Sequence, residues 1–123
     1  MPPHVPQYHR DLLEKEVAGV KPGDLDVVHR LFKAHKGDLK PVGLKMIDGL
    51  FRQLEVLHQL LDAPEHLDDR QQRVAIAALK YFLREEDHIT DKYAFTGLVD
   101  DALVVEAAVW ELHDALEERG LEK

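Results

Sequence analysis

The chain has 123 residues and no cysteine, carries a formal net charge of −8, and is 45% hydrophobic and 33% charged. That length suits a single domain, and the composition suits a helix-rich globular protein. The missing thiol excludes a disulfide framework, a thiolate metal site and a Cys nucleophile, while the acidic balance argues against nucleic acid and anionic membranes as partners.

Residues 1–6, M-P-P-H-V-P, read as a flexible, Pro-stiffened arm without the apolar core of a signal peptide, and residues 7–118 as one helical domain. No apolar run approaches the ~18 residues that cross a bilayer, so membrane association is not expected and a cytoplasmic location is. The first helix is expected from about Gln7 to Ala18, with Tyr8, Leu12 and Leu13 toward the core and Gly19 as its stop. Lys21 to Asp24, K-P-G-D, forms a turn, and Asp24 is placed to cap the next helix by accepting a backbone N–H. Leu25, Val28, Leu31, Phe32 and His35 share one face of that second helix, which ends at Gly37.

Pro41 suits the first turn of a third helix, where its missing N–H costs nothing. There Leu44, Ile47, Phe51, Leu54, His58 and Leu61 recur at steps of three and four, and Pro64 marks the stop. Asp68 or Asp69 caps a fourth helix whose broad apolar face is Val74, Ala75, Ala78, Leu79, Phe82 and Leu83. A last helix from about Leu98 to Glu117 carries Leu98, Ala102, Val105, Val109, Leu112 and Leu116 on one stripe. No stretch alternates as a strand would. The expected fold is all-α: a compact bundle of about five helices whose C-terminal pair is joined by an acidic loop.

Between those two helices, Tyr81, Asp87, Ile89, Asp91, Gly97, Asp100, Asp101 and Ala102 fall in one register. Over residues 74–107, about a quarter to a third of the chain, this pattern resembles the YkvA-like family of small bacterial domains of unknown function. That family joins an apolar helix ending near a Tyr to a P-x-D-x-I-P-D turn, an apolar link, a Gly and an L-D-D-A helix start. Glu85, Thr90 and Ala94 stand where the family has prolines, and Lys92 replaces a hydrophobe in the link. The resemblance implies the helix–turn–helix placement and the four aspartates as signature residues. It implies no reaction.

The same aspartates offer hard oxygen ligands. Asp87, Asp91, Asp100 and Asp101, extended by His88, are candidate ligands for Mg²⁺, Ca²⁺, Mn²⁺ or Zn²⁺. The simpler role is structural: Asp87 and Asp91 bond backbone N–H groups in the turn, and Asp100 or Asp101 stabilises the positive start of the last helix. His29, His35, His58 and His66 show no H-E-x-x-H pattern and no tight ligand spacing; His35 and His58, on apolar faces, read as hydrogen-bonded imidazoles at the core edge. Glu106, Trp110 and His113 share a side of the last helix, which makes Glu106 a candidate acid or base. No serine is present, so a serine hydrolase is excluded, and the glycines are not grouped into a phosphate loop.

The function expected from these residues is that of a non-enzymatic module binding another protein or a second copy of itself. Val99, Leu103 and Trp110, with Ala107, form a second apolar side of the last helix and are the candidate interface. The alternative is a metal-dependent, hydrolase-like enzyme built on the 87–101 loop. No cofactor is expected beyond a candidate divalent cation.

Overall fold

The computed structural model describes residues 5–35, 37, 43, 45–83 and 97–121. Among these are six α-helices: α1 (Gln7–Ala18), α2 (Asp24–His35), α3 (Lys45–Leu60), α4 (Asp69–Leu83), α5 (Gly97–Glu111) and α6 (His113–Glu118). A short 3₁₀ turn spans Pro64–His66, and the described residues hold no strand. The fold is the all-α bundle that the periodicity predicts. No helix among the described residues is long and apolar enough to cross a membrane.

Two helices form the centre. Every residue of α4 from Val74 to Leu79 is buried, as are Phe82 and Leu83. Three of those eight are alanines, whose small side chains let neighbours approach on several sides, and α4 packs against α1, α2, α3 and α5. The apolar face expected for this helix is therefore wider than predicted, taking in Ile76 and Ala77 as well. Its start is built as foreseen: the Gln71 N–H donates to Asp68 Oδ1 at 2.7 Å, and Gln71 Oε1 accepts the Asp68 N–H at 3.0 Å. This reciprocal capping box satisfies two donors that a bare helix end would leave to water.

α5 lies beside α4 and also packs against α1 and α3. Its buried line runs through Val104, Val105, Ala107 and Ala108, while Ala102 and Val109 are only half-buried. The stripe read from the sequence was thus rotated toward one edge of the true contact face. The single last helix expected there is two, because Leu112 leaves helical geometry at φ −91°, ψ 9°. The ladder nevertheless continues, with the Leu112 N–H on the Ala108 carbonyl at 3.0 Å and the Leu116 N–H on the Leu112 carbonyl at 2.9 Å. α6 ends where Gly120 takes φ +68°; its N–H reaches the Glu117 carbonyl and the Leu121 N–H reaches that of Leu116. That left-handed C-terminal cap requires glycine.

Three further expectations change. Tyr8 is 65% exposed rather than turned to the core; Leu13 is buried and Leu12 packs on the core as expected, and His9 and Val17 complete the buried face of α1. The arm assigned to residues 1–6 does not extend to Val5, whose side chain is 1% exposed within the core. The described part of α3 begins at Lys45, while Pro41 and Leu44 lie outside the described residues. Phe51, Leu54 and Leu61 are buried as expected, joined by Leu50, Leu57 and Leu60.

The K-P-G-D turn shows how the chain enters α2. Asp24 donates its N–H to the Lys21 carbonyl at 3.0 Å, Pro22 occupies the second position and Gly23 has φ +93°. A positive φ at the third position is the requirement of a type II turn, which glycine meets without strain. Asp24 does not cap the N–H groups of its own helix. Its Oδ2 instead accepts the N–H of Lys21 at 2.8 Å and a bond from Lys80 Nζ at 3.1 Å, fastening α2 to α4. The Lys21 N–H holds the Asp24 carboxyl below its ordinary value; burial opposes this, and Lys80 reinforces it.

The folded-state value is depressed, so the stabilisation is complete above the unfolded value of about 3.9 and is lost as pH falls through the lower folded value. Asp24→Asn should cost roughly 2 kcal/mol near pH 7, the scale of a partly buried bond to a charged group. The deficit should shrink in urea unfolding near pH 3. An equal deficit at both pH values would contradict the assignment.

On the far side, one guanidinium joins three helices. Arg70 at the start of α4 bonds Glu14 on α1 through Nη1 and Nη2 at 2.9 and 2.6 Å, and Glu111 on α5 through Nε and Nη2 at 2.7 and 2.9 Å. The bonds from Arg70 lower the Glu14 carboxyl, burial resists, and the cationic charge adds to the lowering; the two carboxylates push Arg70 further up. Glu14 is 58% exposed and Arg70 43%, so solvent screens most of this energy. The clamp orients more than it stabilises.

Candidate functional site

Asp87, His88, Ile89 and Asp91 of the acidic loop lie outside the described residues. Gly97 opens α5, and Val99, Asp100 and Asp101 fall in its first turns, their side chains likewise outside the description. Tyr81 sits half-buried against the core near the end of α4. Leu103 packs on the core and Ala107 is fully buried, so part of the second apolar side of α5 is covered by helices of the same chain. Trp110 stays 49% exposed, its ring stacked at 6.0 Å and 23° on that of His113. His113 Nε2 lies 3.2 Å from Glu117 Oε2, one turn along, and Glu106 is half-buried.

The described residues converge somewhere else. His29 of α2 and His58 of α3 meet with Nδ1 of the first 2.9 Å from Nε2 of the second. Asp62, in the turn that follows α3, completes a trio in which one ligand atom from each residue lies within 4.8 Å of the others. The geometry follows from two helix registers. Val28 and Phe32 bury the face of α2, which leaves His29 on its flank. Leu54, Leu57 and Leu61 bury α3, which leaves Glu55, His58 and Asp62 along one edge at steps of three and four.

Aromatic contacts fix both rings. Phe32 lies flat on His58, with ring centroids 4.0 Å apart and planes at 7°. His29 meets His58 edge-on, at 4.9 Å and 84°. Phe32 is itself 5% exposed, so the stack is a floor anchored in the core rather than a loose surface pair. Above it opens a cleft of about 570 Å³ lined by His29, Phe32, Lys33, Glu55, His58 and Asp62, with Gln59 between them. That volume is within the range of small-molecule sites.

One imidazole N–H donates to the lone pair of the other ring, so a single proton occupies the line between the two nitrogens. Two neutral imidazoles and a carboxylate are also a common donor set for zinc and its neighbours, with three protein ligands and a fourth position left to water or substrate. Two nitrogens on a tetrahedral ion sit about 3.3 Å apart. The pair at 2.9 Å would have to part by only a few tenths of an ångström, and Asp62, being exposed, can close its remaining distance by rotating.

Nothing in local spacing pairs His29 with His58, which are 29 residues apart. The reading of His58 as a hydrogen-bonded imidazole at the core edge stands; the absence of tight ligand spacing does not carry over into three dimensions. One signal was available in the sequence, the His58/Asp62 pair one helical turn apart. Comparisons with protein-family models, with curated proteins and with solved structures give no match.

Proposed function

We propose that this helical protein binds a late first-row transition-metal ion, with zinc as the best fit, in the cleft between α2 and α3. His29 Nδ1, His58 Nε2 and the Asp62 carboxylate are the ligands. The observation that carries this reading is the 2.9 Å approach of two imidazole nitrogens, one of which must shed its proton to bind an ion, beside a third ligand, on an aromatic floor beneath His58. The metal takes the place of the shared proton and links two helices that both pack on α4. Hard ions fit less well, since Mg²⁺ and Ca²⁺ prefer an all-oxygen shell.

Calorimetric titration of zinc into the metal-free protein should show one ion bound per chain, with the heat disappearing as pH drops and protons compete for the imidazoles. Heat no greater than that of dilution would end the reading. The likeness of residues 74–107 to the YkvA-like family is consistent with a helical core of this kind and assigns it no chemistry.

A second reading is favoured by Trp110, an indole 49% exposed on the outer side of α5. Here a second copy of the chain covers that side, with Trp110 as its anchor. Sedimentation should then show a dimer that Trp110→Ala dissociates; a monomer in both would dismiss it.

A further inference from the structure

The charges around the cleft lead one step further, on the premise that the metal reading holds. One base, Lys33, faces two acids, Glu55 and Asp62, so with neutral histidines the cleft carries a single net negative charge. In that state it repels anions. A dication on His29, His58 and Asp62 reverses the sign and leaves a single net positive charge in the same space. Asp62 is then held as a ligand, which leaves Lys33 and Glu55 as the charges on the walls.

Three protein ligands leave a tetrahedral ion one open position, and all three line the same cleft of about 570 Å³. We infer that the metal-loaded cleft is a binding site for a small oxyanion, a carboxylate or a phosphate. One of its oxygens takes the open position of the ion while the Lys33 ammonium balances the rest of its charge. Glu55, on the same cleft wall, disfavours anions of higher charge. The metal therefore acts as a gate: the anion site exists only when the ion is bound. By linkage, a bound anion tightens the metal by the same factor as the metal tightens the anion.

Cobalt(II) makes the test optical, because its visible absorption reports the donors and number of ligands around it. In the cobalt-loaded protein, acetate and inorganic phosphate, added separately, should each shift that spectrum in a saturable way. Whichever anion binds more tightly identifies which of the two the cleft prefers. Calorimetry should find no binding of either to the metal-free protein. Lys33→Gln should weaken the anion roughly fivefold, the scale of one exposed charge pair, while cobalt still binds at least as tightly as in the wild type.

A cobalt spectrum that neither anion alters at tens of millimolar would overturn the inference and leave the metal site standing. Anion binding of equal strength without metal, or an unaltered response in Lys33→Gln, would also overturn it. A protein that takes up no cobalt at all would fail the metal reading itself.

Discussion

Phe82→Ala is expected to destabilise the protein by about 3–5 kcal/mol, the cost of emptying a fully buried aromatic site. Phe82 is 0% exposed and its ring meets that of Phe51 edge-on at 6.4 Å and 74°, so the residue ties α4 to α3. Domains of this size have about 5–15 kcal/mol to lose. The substitution should therefore remove a fifth or more of the total and lower the melting temperature by roughly 10–20 °C. Tyr8→Ala supplies the contrast. It deletes an aromatic of similar size that is 65% exposed, and the change should stay within about 0.5 kcal/mol. Equal losses at the two positions would contradict the central place given to α4.

The second large effect falls on metal binding. His29→Ala and His58→Ala should each weaken zinc by roughly 100-fold or more, because a site with two remaining ligands holds a labile ion poorly. Asp62→Asn keeps an oxygen donor but loses its charge, and roughly tenfold is expected. On the proposed assignment an ion would link α2 to α3, and zinc at a thousand times its dissociation constant should raise wild-type stability by about 4 kcal/mol. A chelator should reverse that gain. His29→Ala should fold with a near wild-type melting temperature and gain no more than about 1.4 kcal/mol at the same zinc concentration. His58→Ala also removes the stacking partner of Phe32, whereas the His29 ring only meets that stack edge-on, so His29→Ala is the cleaner test.

Much of this fold was legible in the chain. Gln7 and Ala18 bound α1 as Gly19 and the preceding prolines suggested, and the Asp68/Gln71 box starts α4 where a cap was expected. The phase of the faces was less legible. In α1 Leu13 is buried and Leu12 packs on the core as expected, but a buried His9 takes the place expected for Tyr8, which points to solvent. In α5 nearly every residue from Ala102 to Val109 is apolar apart from Glu106, and a pattern apolar all round has no preferred direction until its neighbours are known.

The candidate site was legible only in part, for a similar reason. Local density of acids drew the reading to residues 87–101, where chemistry-bearing residues are adjacent in sequence. The trio of His29, His58 and Asp62 arises from where α2 and α3 come to rest on α4, and that placement is tertiary. Asp24 behaves alike: its type suited a cap, yet its bond to Lys80 crosses 56 residues. Helix periodicity specifies which side of α2 and α3 faces inward, and so leaves His29 and His58 on adjoining flanks, but it does not bring the flanks together.

X-ray absorption at the zinc edge, on protein loaded with one equivalent of zinc, tests the central claim most directly. Two imidazole ligands and oxygen donors near 2.0 Å are predicted, with one imidazole lost in His29→Gln. A spectrum of oxygen donors alone, or an imidazole count unchanged in that variant, would contradict the assignment of the ion to the cleft between α2 and α3.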